Sequence, residues 1–194
     1  GRASVLLASG TIVSRILGFV RAAVLAAAIG AFSEGANAFG IANQLPNNIY
    51  TIIASGILSA VLVPQIVRAN SHADGGKAFI NKLFTIALVV LLIATLAAML
   101  LAPALIQLYT RNWSEAQLAL GTAMAYWCLP QIFFYGLYAL LGEVLNAKKV
   151  FGPFTWAPII NNVIALIGLG AFIWIFGLYN KETAAITDWT PERI

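Results

Sequence analysis

The chain has 194 residues, 61% of them hydrophobic and only 9% charged, where soluble domains carry about a quarter charged residues; this excludes an ordinary soluble domain and points to an all-α, polytopic membrane bundle. The net charge of +4 is spread mostly over the borders of apolar segments, where topology signals lie, so it does not describe a nucleic-acid surface. A single cysteine, Cys128, inside an apolar run and a single histidine, His72, in a polar loop exclude a disulfide framework and a thiolate metal site.

Five spanning segments are predicted, over about 5–28, 36–67, 78–109, 114–147 and 154–178. Each supplies the ~20 apolar residues that a ~30 Å hydrocarbon core requires. The first, Val5 to Ala28, ends at Gly30 and is too long for a cleavable signal peptide. It carries Arg15 and Arg21, although a charged side chain at mid-membrane costs roughly 2.5–3.5 kcal/mol on insertion scales. Gly10, Ser14, Gly18 and Ala22 recur every four residues beside them, a small-residue stripe on which another helix can pack closely. The two arginines lie about 120° apart around the helix. They either snorkel and pair structurally, or at least one binds an anion, for which the charged, two-pronged guanidinium is suited. Apart from Glu115 at the very start of the fourth segment, Glu143 is the only acid within a segment, so carboxylates buried in these segments cannot neutralise both arginines within the membrane.

The second segment crowds Asn37, Asn43, Gln44, Asn47 and Asn48 around Pro46. Proline removes a backbone donor, and an interruption of the helix is predicted there, of the kind tolerated where helices line protein or water. The amides are suited to sugar hydroxyls and phosphates, or else to helix–helix contacts. Tyr50, Ser55 and Ser59 continue this weakly polar character. After the Asp74-Gly75-Gly76 turn the third segment runs to Tyr109, with Pro103 near its end. Ser114 and Gln117 have capping-box spacing at the start of the fourth, which Pro130 interrupts. Glu143, near its end, is expected to pair with Arg68, Lys148 or Lys149 rather than to carry protons. Asn161 and Asn162 in the fifth segment are expected to hydrogen-bond between helices. Residues 179–194 form an outer loop whose Thr190-Pro191-Glu192 reads as a helix start, so a sixth helix is expected to follow in a longer parent protein.

Arg2, Arg68, Lys77, Lys82, Lys148 and Lys149 fall on one side of these segments, and Arg111, Lys181 and Arg193 on the other. That bias predicts a cytoplasmic N-terminus and, after five crossings, an outer C-terminus. Tyr109, Trp113, Trp174, Tyr179 and Trp189 gather on the outer side, where amphipathic rings favour the interface. No catalytic set, metal-ligand cluster, nucleotide loop or other cofactor motif is present, so an enzyme is not expected.

Ser14-Arg15-Ile16-Leu17-Gly18-Phe19-Val20-Arg21 resembles the first-helix signature of the MurJ/MviN lipid II flippases, relatives of the MATE exporters. Asn37-Ala38-Phe39, Leu45-Pro46-Asn47, Gly56, Ser59, Val63 and Pro64 resemble their second helix. Asn146, Phe151, Ala157, Pro158 and Asn161 or Asn162 resemble the region of their fourth and fifth helices. The resemblance implies five helices of the N-terminal lobe of a transporter of about fourteen helices. Its remaining helices would be partners, and its cavity would open alternately to each side of the bacterial plasma membrane. It implies lipid II or a similar polyprenyl-diphosphate lipid as substrate, with Arg21 on the diphosphate and Arg15 as a second first-helix arginine. Asn43, Asn47 and Asn48 would join them as substrate ligands. Departures are Ala22 where the family often has Asp, Asn37 where it often has an acid, and Tyr50 and Thr51 where it often has two arginines. This amide-rich pattern resembles actinobacterial relatives, which often fuse the flippase to an intracellular pseudokinase-like domain.

The leading expectation is a lipid II flippase working by alternating access. The alternatives are an exporter of other lipid-linked polysaccharides or of drugs in the same superfamily, a non-transporting scaffold for cell-wall synthesis, and, least, a membrane enzyme. An exporter of organic cations would favour cavity acids over arginines.

Overall fold

Backbone groups in hydrocarbon must be satisfied within their own segment, so apolar stretches of this length fold as helices. The computed structural model describes residues 2–54, 77–147, 150, 152–180, 189 and 194. Among them the regular elements are helices: α1 (Arg2–Ile29), α2 (Glu34–Ile53), α3 (Lys77–Leu100), α4 (Ala102–Tyr109), α5 (Glu115–Cys128), α6 (Gln131–Ala147) and α7 (Gly152–Phe176). Four stretches of the described residues are long and apolar enough to cross a membrane: Ala8–Ile29, Asn81–Leu100, Glu115–Leu145 and Trp156–Phe176. The second predicted segment is described only as far as Ala54; its remaining part, with Ser55, Gly56, Ser59, Val63 and Pro64, lies outside the described residues.

Helix ends follow local chemistry. Gly30 stops α1 in the left-handed region, at φ 78°, with its N–H on the carbonyl of Ala26 at 2.9 Å; this is the usual conformation of a glycine just past a helix end. Ser33 then caps α2, its hydroxyl accepting from the Ala36 N–H at 2.9 Å. At α5 the capping box forms: Ser114 Oγ accepts from the Gln117 N–H at 3.3 Å, and Gln117 Oε1 accepts from the Ser114 N–H at 3.0 Å.

The prolines behave differently from one another. Pro130 separates α5 from α6, as its missing donor and its clash with the preceding turn require. The third segment divides at Leu101, which leaves Pro103 in the first turn of α4, where proline is tolerated. Pro46 departs from expectation, because α2 continues through it from Glu34 to Ile53. The proline is fully buried, and packing of its neighbours Ala42 and Leu45, also buried, offsets the loss of one backbone hydrogen bond.

The chain forms two compact units, one of residues 1–37 and 144–194 and the other of residues 38–143. The first is built on α1 against α7. In the second, Leu91 of α3 and Leu140 of α6 form a core joined by Ile53, Phe84, Leu88 and Phe133. Gly136 makes room there for the Leu91 side chain. α4 packs on α5, with Gly121 against Trp113 and Ile106. Many large apolar side chains remain exposed, among them Phe19 at 78% and Trp174 at 86%, as suits helices whose solvent is lipid or further helices.

Candidate functional site

The two arginines of α1 take different environments. Asn162 of α7 is buried and lies across from the small-residue stripe. Its Nδ2 donates to the Ser14 carbonyl at 3.0 Å and to Ser14 Oγ at 3.4 Å, and a Cβ on Gly18 would lie 3.9 Å from the same nitrogen. Gly10, one turn before Ser14, is buried as well. At ~100° per residue, the seven-residue step from Ser14 brings Arg21 back to within about 20° of the same direction. Arg21 is half-buried, and Arg15, one residue past Ser14, is exposed. Neither arginine has an acidic partner among the described residues.

A second contact fixes the sense of this pair. The Tyr179 N–H, just past α7, donates to the Ala27 carbonyl at 3.0 Å, and the Tyr179 ring lies over Gly30. From Asn162 to Tyr179, α7 therefore ascends alongside α1 from Ser14 to Ala27, and the two helices run parallel. Trp189 likewise covers Gly35 at the first turn of α2.

In the other unit the amides of α2 are met by α6 and α4. Asn43 is half-buried, and its Oδ1 accepts from Gln131 Nε2 at 3.2 Å. Gln131 Oε1 in turn accepts from the Tyr135 hydroxyl at 2.6 Å. The Tyr135 ring meets Tyr50 of α2 edge-on, with centroids 5.8 Å apart. Asn48 Nδ2 donates to the Tyr109 hydroxyl at 3.2 Å. Asn47, one turn after Asn43 on the same face, is exposed, and so are Asn37 and Gln44. The Asn47 backbone carbonyl accepts from Thr51 Oγ1 at 2.7 Å, while its side-chain amide has no partner among the described residues.

The predicted ligands thus fall in two groups, Arg15 and Arg21 in one unit and Asn43, Asn47 and Asn48 in the other. Gln131 and Tyr135 were not foreseen as partners of Asn43. The signal was in the sequence: Leu129-Pro130-Gln131 repeats the Leu45-Pro46-Asn47 pattern, and an amide on one spanning helix calls for a polar partner on another. Glu143 is exposed; its expected partners Arg68, Lys148 and Lys149 lie outside the described residues. Asn161, unlike Asn162, is exposed.

The family described as lipid II flippase MurJ matches residues 25–187. A Rickettsia prowazekii protein named "Probable lipid II flippase MurJ" is 30% identical over 192 residues, 96% of this chain and 36% of the relative. A Haemophilus influenzae protein of the same name is 30% identical over 179 residues, 84% of this chain and 34% of the relative. The "Lipid II flippase MurJ" of Burkholderia cenocepacia is 29% identical over 177 residues, 89% of this chain and 34% of the relative. The chain spans about a third of the length of these relatives. No solved structure matches it.

Proposed function

The chain belongs to the lipid II flippase MurJ family, and on that premise we propose that it forms part of the N-terminal lobe of a transporter that carries a lipid-linked peptidoglycan precursor from the inner to the outer leaflet of the bacterial plasma membrane. It is a multi-pass membrane protein. The substrate's obstacle is its head group, because a diphosphate bearing sugars cannot shed its water into hydrocarbon. A polar cavity that opens alternately to the two sides replaces that water while the polyprenyl tail stays among the lipids. The protein breaks no bond of its substrate in this scheme, so its part is recognition and movement rather than catalysis.

The observation that carries the reading is Arg21. It is half-buried in a helix long and apolar enough to span, on the side of the small-residue stripe, and no carboxylate pairs with it among the described residues. A guanidinium so placed serves a diphosphate through charge and paired hydrogen bonds. Arg15 and the α2 amides add further hydrogen-bonding groups suited to the same head group. The parallel run of α1 and α7 supports a five-crossing arrangement. Two helices that cross in the same sense need an odd number of crossings between them. Asn81–Leu100 and Glu115–Leu145 are two candidate crossings between them, and the predicted second segment would be the third. The Lys and Arg bias supports a cytoplasmic N-terminus.

The test is complementation and lipid flipping with the full-length protein. Arg21→Ala is expected to abolish both at normal membrane abundance. Arg21→Lys should restore them only in part, since an ammonium keeps the charge and loses the planar fork. Arg15→Ala should be the milder change. Full activity of Arg21→Ala refutes the anion site, and disappearance of the protein from the membrane assigns Arg21 a structural role instead.

A further inference from the structure

Asn43 is more than one amide among several on α2, because its orientation is set from outside the helix. A side-chain amide carries an acceptor on one arm and two donors on the other, and which arm faces a ligand decides what it binds. Here the acceptor arm is taken. Gln131 Nε2 donates to Asn43 Oδ1 at 3.2 Å. Gln131 is itself held in that sense by the Tyr135 hydroxyl, which donates to Gln131 Oε1 at 2.6 Å. Tyr135 stands one turn along α6 from Gln131 and is braced by the ring of Tyr50. The Asn43 Nδ2 group keeps both hydrogens without a protein acceptor among the described residues. The unpartnered amide of Asn47 lies one turn away on the same face.

We propose that Gln131 and Tyr135 are positioning residues that lock Asn43 as a hydrogen-bond donor, so that this face of α2 takes an acceptor-rich group such as the oxygens of a phosphate. The inference rests on the lipid-diphosphate reading above and adds residues that neither the first-helix arginines nor the amide pattern of α2 identifies. Direction is the point of the device. If the relay ran the other way, Asn43 would present its oxygen and repel the same anion. In the arrangement observed, the Tyr135 hydroxyl donates and Gln131 passes that sense on to Asn43, without placing a charge against the ligand.

Gln131→Glu reverses the lock. The new carboxylate still accepts from Tyr135, but it can engage Asn43 only by accepting from Nδ2, which turns the Asn43 oxygen outward. The full-length protein in detergent micelles is titrated with a polyprenyl diphosphate and with the matching neutral polyprenol. Gln131→Glu is expected to weaken diphosphate binding by about tenfold or more, the scale of a lost hydrogen bond to a charged group, and to leave polyprenol binding unchanged. In an Asn43→Ala background the same substitution should add less than about twofold, because the effect passes through Asn43. Tyr135→Phe, which frees Gln131 to flip, should reduce the diphosphate preference by a smaller factor in the same direction. Equal losses in the parent and Asn43→Ala backgrounds would show the new charge acting directly and overturn the proposal. Equal losses for diphosphate and polyprenol would reduce the relay to helix packing. A preference that Arg21→Ala removes and Gln131→Glu does not touch sinks the relay alone. The absence of any diphosphate preference in the unmodified protein sinks the carrier reading and the relay together.

Discussion

Adding one carbon at each of two helical glycines should have opposite effects. Alanine in place of glycine favours a helix by about 0.8–1.0 kcal/mol, so the sign of each substitution depends on what the new Cβ meets. At Gly18 the nearest group is Asn162 Nδ2, 3.9 Å away, which is ordinary contact. Gly18→Ala should therefore be neutral or stabilising by up to about 1 kcal/mol, even though Gly18 belongs to the stripe that faces α7. At Gly136 the new carbon would overlap three carbons of the Leu91 side chain. Leu91 is only 1% exposed and cannot swing clear without displacing the core it shares with Leu140. Overpacking of this kind costs about 1–3 kcal/mol, so Gly136→Ala should be destabilising by up to about 2 kcal/mol after the helical gain. Reversible unfolding of the full-length protein in mixed detergent micelles, with each variant beside the parent, measures both. A stabilising Gly136→Ala, or a Gly18→Ala that unfolds well before the parent, would refute the packing described for α3–α6 or α1–α7 respectively.

Gly30→Ala should be costly, on the order of 2–4 kcal/mol, since φ 78° penalises a side chain and its Cβ would press into the Tyr179 ring; a thermal midpoint equal to the parent's would contradict this account of the α1–α2 turn. For topology, cysteines introduced at Gly75 and at Thr187 are treated with an impermeant thiol reagent in intact cells, with buried Cys128 contributing little background. Thr187 should label from outside and Gly75 only after permeabilisation, and the reverse pattern would invert the proposed orientation.

The sequence disclosed α1 and α7 and that each would meet another helix, though not that they would meet each other: a four-residue stripe of small side chains invites a close neighbour, and an amide buried at Asn162 must find an acceptor. The capping box at Ser114 was legible for the same reason, since both of its partners lie within one turn. Tertiary partners were less so. Asn43, Asn47 and Asn48 were visible as polar residues, but a pattern on one helix does not say which residue of another faces it, and Gln131, Tyr135 and Tyr109 emerged only from the packing. Pro46 misled because proline's local cost was weighed without the burial that surrounds it. The turn at Leu101 was missed because the apolar run from α3 into α4 continues across it unbroken, and hydropathy is blind to a turn made of apolar residues.

Partner by partner, the polar groups of these helices separate into those the chain satisfies and those it does not. Asn162 has Ser14, Asn48 has Tyr109, and the oxygen of Asn43 has Gln131. Among the described residues, Arg15, Arg21 and the Nδ2 group of Asn43 are without protein acceptors, and all three are donors only. Cost distinguishes them. Interhelical hydrogen bonds in membranes contribute on average about 0.6 kcal/mol, so an amide with an idle arm is tolerable. A guanidinium at depth costs roughly 2.5–3.5 kcal/mol or more, and a leucine in its place would avoid that cost altogether. An arginine on the half-buried side of α1, with no carboxylate partner among the described residues, therefore fits the proposed role of meeting an anion. In the proposed scheme that anion is the diphosphate head group, whose charge would offset the cost of holding the guanidinium at depth.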